Sequence, residues 1–268
     1  MKLLFQSDDY GLTDGVTSGI LKGIRDGVIR NTGLFVNMDS SIYAATQIKF
    51  YPECCFGQDI NLVAGKPITK PNLIPNLVDE SGCFIKSTEI MKRSKMTKIN
   101  GIVTEFEEDP YSYEETLIEV ENQVKRFIEL VGKKPEYLHG HSLITKNIMR
   151  AMEEVGRKYN IVLSNHVWES YNIYFVKNTW NPKAFSLQAQ IETDVTNNML
   201  KVLPEILNHK IALTICHAGF VDEDIFKHST YTMIRAKDLH MATSDKIKAF
   251  IKENNVELIT YRDLIEGV

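Results

Sequence analysis

Along this chain, short unbroken apolar runs alternate with stretches in which apolar residues return every three or four positions. The first pattern suits strands buried on both faces, and the second suits helices with one buried face. "KLLF" near the start reads as a first strand, and Val16, Ile20, Ile24 and Val28 predict a helix over 14–27. "TGLFVNM" (32–38) and "CCFGQDINL" (54–62) read as further strands, separated by a short helix over 43–50. The clearest helix starts at Ser112, whose spacing to Glu115 is that of a capping box. It carries Leu117, Val120, Val124, Phe127, Ile128 and Val131 on one face and ends at Gly132. "EYLHGHS" (136–142) reads as a strand end, 145–157 as a helix and "NIVLSNH" (160–166) as a strand. Then come a helix over 194–208, the strand "IALTICHAG" (211–219), a helix over 244–254 and the strand "VELITY" (256–261).

Strands alternating with helices in this way predict an α/β fold of βα units around a parallel sheet. The chain has 268 residues and no internal repeat or biased linker, so one domain over 1–268 is expected, a size typical of a (β/α) barrel. Between Gly65 and Pro110 the periodicity is lost among Pro67, Pro71, Pro75 and Gly82, and a basic cluster is followed by an acidic one. A long irregular stretch inside a compact domain is usually functional. A loop or lid insertion is therefore expected over 66–112.

Composition works mainly by exclusion. A hydrophobic fraction of 43% and a charged fraction of 25% are ordinary for a soluble globular protein. The net charge of −4 leaves no electrostatic footprint for nucleic acid. No apolar run approaches the ~20 residues of a membrane span, and the N-terminus turns polar too soon for a signal peptide. Cys54, Cys55, Cys83 and Cys216 show neither metal-ligand spacing nor a disulfide framework, which points to reduced thiols and a cytoplasmic location. No nucleic-acid or membrane partner is expected.

The candidate chemistry lies at the predicted strand ends, which converge on one mouth in a barrel. Those ends carry Asp8 and Asp9, Asp59, His139 and His141, and His217. Each alone has an ordinary reading as a turn, cap or hydrogen-bonded residue. Together they form a set of carboxylates and imidazoles without thiolates, which suits a hard or borderline divalent cation. His139 and His141 are two apart, so an extended strand turns both to one side.

These residues carry a family resemblance. "SDDYGLTDGVTSGI" is similar to the N-terminal signature of the YdjC-like carbohydrate deacetylases, the chitooligosaccharide deacetylase group. "TGLFVNM", "GQDINLVAG", "PEYLHGHS", "CHAGFVDEDIFKHSTYTMIRAKDL" and "VELITYRDL" resemble later motifs of that family in the same order. The middle, about 66–110 and 167–190, matches weakly. The resemblance implies a distorted (β/α) TIM-like barrel and metal-dependent removal of an N-acetyl group from an amino sugar. Carried over, Asp9 and His141 are metal ligands, Asp8 is the general base and His217 the general acid. The chemistry agrees, because an amide needs a cation to activate water and carbonyl, a base beside the water and an acid beside the nitrogen.

The chain departs from the family twice. Asp59 stands where the family has a ligand histidine, and His139 stands where it has an aspartate. The exchange is reciprocal, so the expected metal set is Asp9, Asp59 and His141, with His139 orienting it or substituting as a ligand. The added carboxylate favours Mg or Mn over Zn. Asn61 and Asn37 could orient ligands or sugar hydroxyls, or serve structure alone. Arg235 and Asp238 could form a surface pair at i,i+3, or Arg235 could reach an anionic group such as a sugar phosphate. Trp168, Trp180 and Tyr111 suit either stacking on sugar rings or packing.

The expected function is a cytoplasmic, metal-dependent N-deacetylase of an amino sugar or small oligosaccharide, phosphorylated or not. Two rivals stand beside it: a metal-dependent hydrolase of a phosphorylated disaccharide, and a non-catalytic sugar-binding or regulatory relic of the same barrel. A homodimer would be unsurprising.

Overall fold

The computed structural model describes residues 1–177 and 186–265, so Trp180 and Pro182 lie outside the described residues. The first part of the chain runs β1 (Lys2–Tyr10), α1 (Asp14–Arg25), β2 (Asn31–Leu34), α2 (Ser41–Gln47) and β3 (Cys55–Ile60). Next come α3 (Ser87–Arg93), β4 (Met96–Asn100), β5 (Val103–Phe106), α4 (Tyr113–Val131), β6 (Leu138–Gly140) and α5 (Lys146–Tyr159). After these follow α6 (Ser164–Ser170), β7 (Tyr174–Phe175), α7 (Leu187–Glu192), α8 (Val195–Val202) and β8 (Ile211–Cys216). The chain closes with α9 (Ile225–His228), α10 (Met233–Thr243), α11 (Asp245–Glu253), β9 (Glu257–Ile259) and α12 (Arg262–Ile265).

Seven strands among the described residues form one parallel sheet in the order β6-β3-β2-β1-β8-β7, with β9 also on β1. β8 follows β1 from Lys2 to Ser7 along one edge. β9 takes Lys2–Leu4 and β2 takes Gln6–Tyr10, so these two share the other edge in succession. β1 is therefore the centre of the sheet, which is why "KLLF" is apolar without alternation. Leu3 and Phe5 pack outward with Val16, Ile20 and Ile24 of α1. Leu4 packs inward with Cys55, Tyr137, Trp168 and Tyr261. The result is a curled parallel sheet with helices outside it, a distorted TIM-like barrel that brings the carboxyl ends of the strands to one mouth.

Several boundaries differ from the sequence reading, each for a local reason. The strand expected over 160–166 shrinks to a single bridge, Leu138 to Leu163. Asn160 takes the left-handed cap of α5 and the Ile161 amide returns to the Gly156 carbonyl, so few residues remain before α6 begins. The helix expected over 194–208 becomes 3-10 from Leu203, because Pro204 brings no N–H to an α-helical ladder. The segment over 66–112 is not structureless. β4 and β5 pair as an antiparallel hairpin, and every residue of β4 is exposed, so no apolar alternation marked it. Ser112 caps α4 as expected, but Glu115 turns away from the box to accept from Asn76. One turn on, Glu119 accepts from the Ile68 and Thr69 amides at 3.0 and 2.8 Å. Two acidic side chains of α4 thus tie down the first part of the insertion. No helix among the described residues is long and apolar enough to cross a membrane.

Gly57 lies on β3, where a Cβ would sit 2.5 Å from the Tyr137 ring. Gly57→Ala is expected to destabilise the fold by roughly 1–3 kcal/mol, the usual size of overpacking. Urea denaturation measures it, and an unchanged midpoint would contradict this account of the interior.

Candidate metal and catalytic site

Neighbouring residues of a strand point to opposite faces, so Asp8 and Asp9 cannot both reach the mouth from a regular β1. The strand breaks regularity there. Its register with β2 slips between Ser7 and Tyr10, and Asp9 sits in the left-handed region at φ 74. Asp8 keeps the inward face that it shares with Gln6, whose Nε2 donates to Asp8 Oδ1 at 2.6 Å. The Asp9 amide is turned to donate to Asp59 Oδ2 at 2.9 Å.

The exchanged residues prove to be direct neighbours. Asp59 on β3 and His139 on β6 are register partners in adjacent strands. One ligand atom each from Asp8, Asp59 and His139 lie within 4.8 Å of one another, and all three residues are buried. Asp59 Oδ1 has no hydrogen-bond partner. It occupies space that exists because residue 33 is glycine, where a Cβ would lie 1.8 Å away. Burial, reinforced by the Asp8 charge, pushes the Asp59 carboxyl up to about 7. His139 faces Ser164 Oγ through Nδ1 at 2.8 Å and Asp8 Oδ2 through Nε2 at 3.4 Å. Burial opposes its charge, but Asp8 outweighs burial and raises it to about 9. For Asp8, burial works against ionisation, and the charge and hydrogen bond of His139 more than reverse this.

Asp9 belongs to a second group. Arg235 Nη2 donates to its Oδ2 at 2.6 Å, and His141 Nδ1 lies 2.9 Å from its Oδ1. Burial is again overcome, first by His141 and then by Arg235, so Asp9 stays well below the usual carboxylate range. Burial lowers His141, and Asp9 reverses that and raises it. Of the two readings of Arg235, the surface pair with Asp238 does not form. Both are buried on α10, Arg235 reaches Asp9, and Asp238 Oδ2 accepts from the His217 amide at 2.7 Å. Spacing at i,i+3 placed them on one helix face without saying that the face is inward. Burial pushes Asp238 up to about 7. His217 is lowered, first by burial and further by Arg235 and His141, against the pull of Asp9 and Asp8.

A cavity of about 690 Å³ opens over these groups, lined by Asp8, Asp9, His139, His141, His217 and Arg235. Trp168 and Phe175 form part of its wall, and Lys86, Lys227 and His228 also face it. Asn61 and Asn37 are not in that wall. Asn61 Nδ2 donates to Asn37 Oδ1 and the Ala64 carbonyl, while its Oδ1 accepts from the Val63 and Ala64 amides. Asn37 in turn donates to Ala64 and Lys66 carbonyls. The two amides brace the loop after β3. Tyr111 is buried in the apolar cluster of α4 and α5. A second depression of about 600 Å³ lies near Lys133, Glu136 and Arg262, where Glu136 already pairs with both cations. Sequence reading missed Gln6, Ser164 and Tyr261. Gln6 alone left a signal, a polar residue two before Asp8 on the same strand face.

The sequence family described as "YdjC-like protein" matches residues 2–253. Carbohydrate deacetylase 2 of Listeria innocua is 31% identical over 98% of this chain and 99% of its own length. The carbohydrate deacetylase of Clostridium beijerinckii is 25% identical over 98% of this chain and 100% of its own. Among solved structures, a protein of Enterococcus faecalis V583 named for cellobiose-phosphate cleavage shares the fold, with a TM-score of 0.77, 22% identity and 98% of both chains covered. A family 4 acetyl xylan esterase from Clostridium thermocellum, in complex with a cobalt ion, is similar at a TM-score of 0.50 and 11% identity, over 100% of this chain and 93% of that one. Matched by the family over residues 2–253, and by a 31%-identical relative along nearly its full length, the chain belongs to the YdjC-like family.

Proposed function

We propose that this protein is a carbohydrate deacetylase that removes an N-acetyl group from a small amino sugar with the help of a divalent cation held by Asp8, Asp59 and His139. The observation that carries the cation is Asp59. Its carboxylate is wholly buried, has one oxygen without a partner, and sits beside a second carboxylate and an imidazole. Buried charges are normally paired or bound to metal. Two carboxylates and one imidazole favour Mg or Mn. The acetyl xylan esterase of the same fold, solved with cobalt, supports the reading.

The cation, when bound, polarises the acetyl carbonyl and makes water a better nucleophile. The remaining work belongs to the chain. Arg235 fixes Asp9, and Asp9 fixes His141 through Nδ1, leaving Nε2 of His141 to hydrogen-bond the substrate. His217 is neutral at rest, so it takes the proton of the attacking water and hands it to the departing nitrogen, acting as base and then acid. In this reading Asp8 holds the cation and His217 carries the proton. Ile102, in the β4–β5 turn, lines the mouth, and the 66–112 segment is proposed to shape the sugar end of the cavity.

A second reading keeps Asp9 and His141 as ligands of the cation. The 2.9 Å between Asp9 Oδ1 and His141 Nδ1 favours it, since ligands at about 2.1 Å and right angles lie about 3 Å apart. Against it, Arg235 already neutralises Asp9, and the Asp59 carboxylate is turned to the Asp9 amide.

Acetate release from N-acetylated chitooligosaccharides, plain and phosphorylated, is expected with Mg or Mn and is expected to vanish with chelator. Sugar binding without acetate under every condition would overturn the enzyme reading. Asp59→Asn is expected to abolish cation binding in calorimetry, while His217→Ala binds the cation and loses roughly 10²–10⁴-fold in turnover. Without metal, His139 is protonated below about 9, so the cation must displace that proton. Affinity should therefore weaken as pH falls from 9 to 6, with proton release visible when buffers of different ionisation enthalpy are compared.

A further inference from the structure

Beneath Asp8, buried polar groups cross the inside of the sheet in a line. Trp168 Nε1 donates to the Tyr261 hydroxyl at 2.7 Å, and that hydroxyl donates to Gln6 Oε1 at 2.7 Å. Gln6 Nε2 then donates to Asp8 Oδ1 at 2.6 Å. Gln6 and Tyr261 are fully buried, and Trp168 nearly so.

One donor-only group sets the direction of the whole line. An indole N–H cannot accept, so the Tyr261 oxygen accepts from Trp168 and has a single proton left to give. That proton requires an acceptor, which orients the Gln6 amide with its oxygen toward Tyr261 and its NH2 toward Asp8. The flipped amide would set a carbonyl oxygen against a carboxylate. Asp8 Oδ1 is thereby held as an acceptor, and Oδ2 is left facing His139. The line is stiff at its middle. The Tyr261 amide donates to Asn31 Oδ1 at 2.9 Å, and its ring lies 4.3 Å from that of Tyr137. It also begins in the cavity wall, where the Trp168 ring meets His139 edge-on at 5.6 Å.

We infer that Trp168, Tyr261 and Gln6 form a one-way donor chain that positions the Asp8 carboxylate for its ligand. The inference rests on the reading of Asp8 as a cation ligand. Groups that hydrogen-bond a metal ligand commonly change affinity or activity by 10–100-fold when removed. Packing alone would change stability instead.

Tyr261→Phe keeps the ring against Tyr137 and removes both hydrogen bonds. Titrated with Mg or Mn, the folded variant is expected to bind about 10–100-fold more weakly than wild type. In acetate release its kcat should fall with KM little changed at saturating metal. If Tyr261→Phe fails to fold, Gln6→Leu carries the same expectation. A folded variant with wild-type cation affinity, whatever its melting temperature, overturns the donor chain and leaves the metal reading standing. A wild-type protein that binds no cation overturns both.

Discussion

Three carboxylates, Asp8, Asp9 and Asp59, are buried together at one end of the sheet, and carboxylates that close cannot all ionise without positive charge beside them. Each meets the constraint differently. Asp9 has a guanidinium on one oxygen and an imidazole beside the other. Asp8 has the Gln6 amide and the His139 ring. Asp59 has one backbone amide and one oxygen with nothing. Asp59 therefore meets the constraint by keeping its proton up to about 7, at the point where two carboxylates and an imidazole meet. Much of the neighbouring architecture follows from this constraint. The slip at the end of β1 separates the two adjacent aspartates, Gly33 makes room for Asp59, and α10 carries a buried arginine.

The arginine shows what such an arrangement costs and why it persists. A buried ion pair is weak evidence for stability as a whole, but removing one partner strands the other and commonly costs about 3–5 kcal/mol. Arg235 also donates to the Tyr231 carbonyl through Nε at 2.6 Å, so its guanidinium is fixed from α10 before it meets Asp9. Asp238 on the same helix holds the His217 amide. One helix thus places both the group that neutralises Asp9 and the backbone that carries His217.

What was legible in the sequence follows the same physics. "KLLF" reads as a strand buried on both faces because β1 is the sheet centre, and α4 reads clearly because one face is apolar and both caps are local. The six strand-end residues Asp8, Asp9, Asp59, His139, His141 and His217 were found because a parallel sheet must gather its carboxyl ends. Their pairing was not legible. Which histidine meets which aspartate depends on register between β3 and β6 and on the backbone of Asp9, and neither is written in residue spacing. Arg235 was a candidate, but its pairing with Asp9 was hidden because helical spacing does not say which way a face turns. The β4–β5 hairpin was hidden because an exposed ribbon needs no alternation. Tyr261 was hidden because its hydroxyl matters only through Gln6, far away in sequence.

The resemblance implies a reciprocal exchange of histidine and aspartate at Asp59 and His139, and these two residues are register partners in adjacent strands. Carboxylate and imidazole share one small volume, the imidazole approaching from β6 and the carboxylate from β3. The central claim is that the cation moves with them, to Asp8, Asp59 and His139. Calorimetric titration of Mg or Mn into His139→Asn and His141→Asn, side by side with wild type, tests it most directly. The account predicts that His139→Asn loses the cation and His141→Asn keeps it. Binding lost in His141→Asn but retained in His139→Asn would contradict it.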